Sequence, residues 1–281
     1  MIRSMPIEAR PKGLRVPEGI PVLMRNLIHE RTGLFFEDSR LDTLLEKLEP
    51  LARQRGCHSF LEYYYALKDN DADEWDRAWD ALSVLETYFW REMSQVKALT
   101  DVIVPEWFRK SSLPLKIWCA ACATGEEPYT IAIALVEAGF GSLPIQIMAS
   151  DASAAALTKA QSGRYREKSF RAIPPALRQK YFQPAIGYST LSPQIVERVN
   201  FKQVNLFEPG EVAPMARVPV IFCRNVFIYF SPHAIRQTVA MMAARMPPGA
   251  YLFLGASESL LRMTTDFELK DVGGALAYVR I

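Results

Sequence analysis

Two patterns of hydrophobic and polar positions divide the chain. From about residue 20 to residue 85, apolar side chains recur at helical spacing, with no clear strand pattern. The stretch SRLDTLLEKLEPLARQRG, for example, places five leucines on one helical face: Leu41, Leu44, Leu45, Leu48 and Leu51. From about Leu113, short β-rich runs alternate with helical patterns, which is typical of a parallel sheet with crossover helices. The sequence therefore predicts an all-helical unit followed by an α/β domain.

Short β-rich runs predict the individual strands of the α/β part. Its strands are the runs LKIWCAA, IQIMAS, VPVIFCRN and AYLFLGA, and FELKDV with ALAYVRI forms a terminal hairpin. The runs IGYSTL and QIVERVNF, between the second and third of these strands, predict a small antiparallel insert at about 183–201. We expect a flexible tail over 1–19, a helical domain over 20–90, a linker helix over 91–112 and the α/β domain over 113–281.

Composition narrows the choice of function classes. The chain has 281 residues, 49% of them hydrophobic, and its 33 basic and 31 acidic side chains give a formal net charge of +2. Such a balance does not favour nucleic acid as a partner, and no apolar run approaches the ~20 residues of a membrane span. We expect a soluble cytoplasmic monomer. Cys119 and Cys122 form a C-x-x-C, but no second pair completes a zinc site, so we predict no metal.

The stretch CAACATGEEPYT, residues 119–130, follows the first predicted strand. A dinucleotide site would show G-x-G-x-x-G at this place, and that motif is absent. Two carboxylates, Glu126 and Glu127, would repel a phosphate and attract a cation. Acidic residues also favour the positive end of a helix dipole, so this segment alone does not decide between a ligand site and a helix start.

Polar residues end the other predicted strands. Asp151 could accept hydrogen bonds from ribose hydroxyl groups, although an N-cap role is also compatible with its position. Asn205-Leu206 and Arg224-Asn225 end two later strands, and an asparagine can both donate to and accept from an adenine edge. A nucleoside with a cationic amino-acid tail and no phosphate fits this set, and S-adenosylmethionine is such a ligand.

Four segments, in this order, resemble the CheR-type chemotaxis receptor methyltransferases: TYFWRE at 87–92, IWCAACATGEEPYT at 117–130, ASDASAAALTKAQSGRY at 149–165 and IFCRNVFIYF at 221–230. The resemblance extends from about residue 20 over nearly the whole chain. It implies a Rossmann-like methyltransferase sheet with a small antiparallel β insert, preceded by an all-helical N-terminal domain. It also implies a protein-glutamate O-methyltransferase that uses S-adenosylmethionine, yields S-adenosylhomocysteine and esterifies glutamates on the cytoplasmic helical domain of a chemoreceptor.

The resemblance assigns the cofactor contacts residue by residue, onto the following set: Thr87, Arg91, Glu126, Glu127, Asp151, Asn205, Leu206, Arg224 and Asn225. It does not decide which of the two glutamates touches the cofactor. Arg91 is the candidate for shaping the catalytic site, and Tyr229 is the candidate for a hydrogen bond near the acceptor; each also has a purely structural interpretation. Leu85 stands where many relatives have Asn.

Two departures from the family pattern concern the protein partner. The second N-terminal helix mixes basic with acidic residues, whereas in enteric relatives it is strongly basic. The loop QPAIGYSTLSPQ is short, so we predict that no receptor C-terminal pentapeptide is used. Two other functions remain open: a signalling module that binds S-adenosylmethionine with little turnover, and a methyltransferase with another acceptor.

Overall fold

The structure is a computed structural model that describes residues 13–69 and 71–281. Most of the predicted flexible tail, residues 1–12, lies outside the described residues. The chain divides into two compact units. The first comprises residues up to Ile28 together with Phe36–Leu82, and the second comprises His29–Phe35 together with Ser83–Ile281.

The first unit is helical. Its helices are α1 (Ile20–Thr32, whose last four residues belong to the second unit), α2 (Leu41–Gln54), α3 (Phe60–Lys68) and α4 (Ala72–Leu82). Helix α2 buries Leu44, Leu45 and Leu48, as the leucine spacing predicts. Ser59 caps α3 by accepting a hydrogen bond from the Glu62 amide. The apolar faces of these short helices therefore supply the core of this unit.

Ten strands and eight further α-helices make up the described part of the second unit. The strands are β1 (Leu115–Ala120), β2 (Ile145–Asp151), β3 (Arg164–Tyr165), β4 (Phe182–Ala185), β5 (Tyr188–Leu191), β6 (Val199–Gln203), β7 (Val220–Cys223), β8 (Tyr251–Phe253), β9 (Phe267–Val272) and β10 (Ala275–Arg280). The helices are α5 (Met93–Ala98), α6 (Val104–Lys110), α7 (Glu126–Glu137), α8 (Ala154–Ser162), α9 (Pro175–Tyr181), α10 (Pro193–Val196), α11 (Pro209–Met215) and α12 (Pro232–Ala243).

Seven strands form the main sheet, in the order β6-β2-β1-β7-β8-β10-β9. The first five are parallel, and β10 pairs antiparallel with both β8 and β9. Alternate side chains of β7 enter opposite layers: Phe222 lies in one hydrophobic cluster, and Ile221 lies in the other. Both faces of the central strands are therefore buried, and a ligand can approach them only at their ends.

A separate three-stranded antiparallel sheet has the order β3-β5-β4. The sequence predicts the insert at about 183–201, whereas the observed small sheet begins earlier, with β3 at Arg164, and ends with β5 at Leu191. The run QIVERVNF is therefore not part of the small sheet. That run contributes β6, which pairs with β2 at the edge of the main sheet. An apolar alternation such as Val199 and Phe201 suits either sheet, so the pattern alone does not choose between them.

No helix among the described residues is both long enough and apolar enough to cross a membrane.

Candidate active site

A cleft that is open to solvent lies at the carboxyl ends of β1 and β7. Its described lining residues come from α5 and the segment before it, the turn after β1, helix α7 and the end of β7: Val84, Glu86, Thr87, Tyr88, Arg91, Val96, Ala121, Cys122, Ala123, Glu127, Thr130, Arg224 and Asn225. Five residues that the sequence predicts for the site are in this lining: Thr87, Arg91, Glu127, Arg224 and Asn225. The cleft is therefore located where an open α/β sheet binds its ligand.

The two glutamates of the GEE turn point in different directions. Glu127 lines the cleft, and its side chain is 18% exposed. Glu126 is 1% exposed, and its carboxylate accepts hydrogen bonds from the hydroxyl groups of Thr124 (2.6 Å) and Ser169 (2.9 Å). Successive residues of a helix lie about 100° apart, so one of the pair enters the protein while the other faces the cleft.

The turn that precedes α7 brings the backbone close to the cleft. Ala121 and Ala123 have φ angles of 55° and 47°, a conformation that non-glycine residues rarely adopt. Asp151 holds this turn, because its carboxylate accepts from the amide of Ala123 at 2.8 Å and from that of Ser153 at 2.9 Å. Gly125 has a φ of 89°, and a Cβ there would lie 2.8 Å from the Cβ of Ala160. Glycine is therefore required at this position.

Arg224 joins the end of β7 to the segment before α5. Its side chain is 2% exposed, and its Nη2 donates to the carbonyl of Arg91 at 2.9 Å and to Glu92 at 3.2 Å. Its Nη1 lies 3.4 Å from the carboxylate of Glu127. The Arg224 Nε is buried without a hydrogen-bond partner among the described residues. A buried guanidinium with three such contacts fixes the relative positions of three elements around the cleft.

Arg91 lies between two residues with left-handed backbone, Trp90 at φ 68° and Glu92 at φ 50°. Such conformations cost about 1–3 kcal/mol each and persist only where surrounding contacts hold them. Here the amide of Trp90 donates to the hydroxyl of Thr130 at 3.2 Å, and Glu92 pairs with Arg224. The Arg91 side chain is 27% exposed, and its Nη1 donates to the carbonyl of Glu86. The guanidinium is thus held at the cleft while part of it stays accessible.

Tyr229 follows β7 in a short 3-10 turn, Phe227–Tyr229, and is half-buried. Burial raises the pKa of its phenol, Glu86 raises that pKa further, and Arg91 lowers it. The phenol therefore lies within electrostatic reach of two cleft residues, and it remains protonated at neutral pH, able to donate a hydrogen bond.

Four predicted cofactor contacts are not among the described lining residues. Glu126 turns into the protein, and the carboxylate of Asp151 accepts hydrogen bonds from two backbone amides. Asn205 accepts from the amide of Phe207 at 2.9 Å and donates to the carbonyl of Arg31 at 2.8 Å. Leu206 is buried in the hydrophobic layer that also contains Ile221. The structure thus gives these four side chains structural partners.

Glu258 is a residue of this site that the sequence analysis does not identify. Its carboxylate accepts three backbone hydrogen bonds, from Asn225 (2.8 Å), Phe227 (2.7 Å) and Gly255 (2.7 Å). These bonds hold Asn225 at a φ of 60°. The signal in the sequence is the G-A-S-E run that starts at Gly255, one residue beyond the end of β8, and places an acid beside the end of the neighbouring strand β7.

The neighbouring glycine yields a testable prediction. A Cβ on Gly255 would clash with Nδ2 of Asn225 and lie 2.9 Å from its backbone nitrogen, so Gly255→Ala must displace Asn225, which lines the cleft. We expect a folded protein whose affinity for S-adenosylhomocysteine, measured by calorimetry, is at least about tenfold lower, the loss of one or two hydrogen bonds. The control is Gly141→Ala, where the nearest atom would lie at 3.5 Å. Equal affinities of the two variants would contradict the prediction.

All four cysteines are free, and the part of the chain that the structure describes contains no group of three or more His, Cys, Asp or Glu side chains that could hold a metal ion. Cys119 and Cys122 are buried, and burial raises the pKa of both thiols well above the usual range.

The fold and the cleft define a class: a Rossmann-like domain whose ligand site presents a carboxylate in place of phosphate-binding amides, which is suited to a nucleoside with a cationic tail. Comparison with known proteins specifies the family. Residues 85–273 match the CheR methyltransferase, SAM binding domain, and residues 23–83 match the CheR methyltransferase, all-alpha domain. The chain therefore belongs to the CheR methyltransferase family, and it is an S-adenosylmethionine-dependent methyltransferase.

Individual members of this family match the chain over most of their length. The chain is 34% identical to chemotaxis protein methyltransferase 2 of Vibrio cholerae, with 91% of each chain covered. It is 36% identical to the chemotaxis protein methyltransferase of Vibrio parahaemolyticus, with 89% of this chain and 93% of the relative covered. A third relative, chemotaxis protein methyltransferase 1 of Pseudomonas aeruginosa, is 29% identical, with 91% and 96% covered.

Proposed function

We propose that the protein methylates glutamate side-chain carboxylates of a chemoreceptor, forming glutamate methyl esters. The observation that carries this proposal is the cleft itself, where Glu127 faces inward from α7 and Arg91 lines the segment before α5. Tyr229 is not among the described lining residues but lies within electrostatic reach of Arg91. Membership in the CheR family supports the proposal, and so do the relatives named as chemotaxis protein methyltransferases.

The cleft fits S-adenosylmethionine by the chemistry of its donors. Glu127 supplies a carboxylate for the ammonium group of the methionine tail, and Ala121 and Ala123 leave room for a ligand against the backbone. Thr87 and Asn225 offer polar groups for the rest of the molecule. When bound, S-adenosylmethionine supplies an electrophilic methyl group on a sulfonium, and transfer to a carboxylate oxygen leaves the neutral thioether S-adenosylhomocysteine.

The proposed reaction needs no catalytic base, because the acceptor is already an anion. A glutamate side chain has a pKa near ~4.3 and is already ionised at neutral pH, so no proton has to be removed before attack. The protein has to orient the carboxylate and exclude water, a contribution that can reach about 7–11 kcal/mol. We assign the orientation to the Arg91 guanidinium, which can hold a carboxylate in a fixed fork, and to a hydrogen bond from the Tyr229 phenol.

Cofactor binding should depend on pH through Glu127. Burial raises the pKa of this carboxyl to about 6, and Arg224 opposes the rise. An ammonium group pairs only with the ionised form, so bound ligand lowers this pKa and affinity falls as the pH drops through about 6. We expect calorimetry to show an association constant for S-adenosylhomocysteine about tenfold lower at pH 5 than at pH 7. The Glu127→Gln variant should lack this dependence; the same slope in that variant would show that another group titrates.

The proposed reaction is tested by transfer of labelled methyl from S-adenosylmethionine to a receptor cytoplasmic fragment. A glutamate methyl ester releases its label as methanol in mild base, whereas N-methyl groups and most other methyl linkages do not. We expect base-labile label on the receptor fragment. Stable label would indicate a different acceptor, and binding of the cofactor without any transfer would indicate a signalling module.

We also propose that the enzyme acts without a receptor C-terminal pentapeptide. In the small sheet, β4 and β5 have four residues each and are joined by only Ile186 and Gly187, a compact hairpin. A tethering peptide that adds a strand pairs along an exposed edge, and this hairpin offers only short edges and a two-residue loop for such pairing. Calorimetry with a receptor C-terminal peptide should show no binding at micromolar concentration; micromolar affinity would contradict this proposal.

A further inference from the structure

Residues 164–180, here called the basic segment, carry a dense local charge in a chain that is nearly neutral as a whole. The segment, RYREKSFRAIPPALRQK, has a single acidic residue, Glu167, against six basic ones: Arg164, Arg166, Lys168, Arg171, Arg178 and Lys180. In contrast, helix α2 has two basic and three acidic residues. A local field of this kind acts within about a Debye length, roughly 10 Å at 0.1 M salt, so its position matters more than the net charge of the protein.

Buried residues between the charges fix the segment to the second unit. Tyr165 is fully buried, and its hydroxyl donates to the carbonyl of Thr124 at 2.9 Å, in the turn before α7. Ser169 donates to Glu126, and the ring of Phe170 stacks on Phe89 with centroids 5.7 Å apart. The basic side chains alternate with these anchors and are exposed, except for the half-buried Arg178. The backbone positions that carry these charges are therefore set before any partner binds.

The segment borders the cleft. The guanidinium of Arg171 lies 3.8 Å from the ring centre of Tyr88, and its Nη2 donates to Glu86 at 3.2 Å. Tyr88 and Glu86 both line the cleft, and the Arg91 guanidinium lies 5.5 Å from the same Tyr88 ring. Arg171 thus contacts Tyr88, and Tyr88 contacts Arg91, the residue that we propose to orient the acceptor carboxylate.

Part of the charge is neutralised within the protein and part is not. Arg178 pairs with Glu167 at 2.7 Å, and Lys180 pairs with Glu137 at 2.6 Å. The side chains of Arg166 and Lys168 form no ion pair with any residue that the structure describes, and Arg164 lies over the ring of Tyr188 at 5.2 Å. Arg164, Arg166 and Lys168 are therefore the charges available to a partner.

From this arrangement we infer that the basic segment is the surface on which the acidic, glutamate-bearing stretch of the protein substrate docks. The inference rests on the proposed function and specifies where the substrate lies. The reacting group is itself a carboxylate, and exposed cations on a segment that borders the cleft attract a chain that carries carboxylates and disfavour the approach of a basic one. Arg164, Arg166 and Lys168 are exposed and are not among the described lining residues of the cleft, so they should affect capture of the substrate and leave the chemical step unchanged.

The test compares two triple variants of the full chain that remove the same charge. The first is Arg164→Gln, Arg166→Gln and Lys168→Gln. The matched control is Lys116→Gln, Arg217→Gln and Arg245→Gln, which removes exposed cations at or before the amino ends of β1, β7 and β8, the edge opposite the cleft. Methyl transfer to a receptor cytoplasmic fragment and calorimetry with S-adenosylhomocysteine are measured for both, at 0.05 M and 0.5 M NaCl.

We expect the basic-segment variant to raise KM for the receptor fragment by about tenfold at 0.05 M NaCl, with kcat and the affinity for S-adenosylhomocysteine unchanged. At 0.5 M NaCl the difference from the wild-type protein should fall below about twofold. The control variant should keep the wild-type KM within about twofold.

Failure of the docking surface and failure of the proposed function give different results. Normal transfer by the wild-type protein with an unchanged KM in the basic-segment variant would overturn the docking surface alone. An equal rise of KM in the control would also overturn it, because the effect would then come from net charge. Absence of base-labile transfer by the wild-type protein would overturn the proposed function and this inference with it.

Discussion

Glu127→Gln should lower the affinity for S-adenosylhomocysteine between about 30-fold and several hundredfold, since it leaves a ligand ammonium without its counter-charge in a largely buried site. The substitution should not weaken the fold. The pKa of Glu127 is raised to about 6, so the ionised carboxylate is less favourable in the folded than in the unfolded protein at neutral pH. Its removal should increase the free energy of unfolding at pH 7 by up to about 2 kcal/mol. Calorimetry and urea unfolding measure the two effects.

Glu126→Gln is the matched control, since it makes the same chemical change one residue earlier. The carboxylate of Glu126 accepts from two hydroxyl groups, and an amide can accept at only one of its two polar atoms. We expect the free energy of unfolding to fall by about 1–3 kcal/mol, with affinity for the ligand within about threefold of wild type. The reverse result, with Glu126 controlling affinity and Glu127 controlling stability, would contradict the assignment of Glu127 to the cofactor.

Arg224→Met should lower the free energy of unfolding by up to about 3 kcal/mol, since it leaves two partly buried carboxylates without their cation. Glu92 and Glu127 both lose an ion pair, and the carbonyl of Arg91 loses its hydrogen bond. The left-handed backbone at Glu92 then lacks one of the contacts that hold it. Urea unfolding of the unliganded protein measures this effect, and we expect the cofactor affinity to fall as well.

Arg91→Met is the comparison that separates stability from catalysis. The Arg91 side chain is 27% exposed and makes one hydrogen bond to a backbone carbonyl, so its loss should change the free energy of unfolding by less than about 1 kcal/mol. Methyl transfer should nevertheless fall about 100-fold, because the acceptor carboxylate would lose its orientation. Near-normal turnover of a folded Arg91→Met protein would remove Arg91 from the proposed mechanism.

Much of the fold follows from local patterns in the sequence. The helical and α/β parts, the order of the main-sheet strands along the chain and the hairpin at Gly273-Gly274 are all predictable, because each depends on periodicity or turn chemistry over a few residues. The pairing of β6 is not predictable in this way, since a short alternating run can join either sheet and the choice depends on residues far away in sequence.

The candidate site is likewise predictable in part from the sequence. Arg224 and Asn225 end a buried strand, and Glu127 begins the helix after another, so the topology of a parallel sheet brings them together. Which of Glu126 and Glu127 faces the cleft depends on the rotation of α7 about its axis. The local sequence does not determine that rotation. Glu258 is harder to predict, because its partners are backbone amides, which nearly every residue carries, and only its position shortly after β8 marks it in the sequence.

The first turn of α7 has a consequence for how the protein tolerates change. Glu126 ties the basic segment to the enzyme, Glu127 faces the cleft, and Thr130 holds the amide of Trp90, all within the first five residues of this helix. A single residue inserted ahead of Glu126 would rotate these side chains by about 100° and exchange their surroundings. Variation in length should therefore be excluded between β1 and α7, whereas the two-residue tip at Ile186 and Gly187 can accept insertions without disturbing this helix.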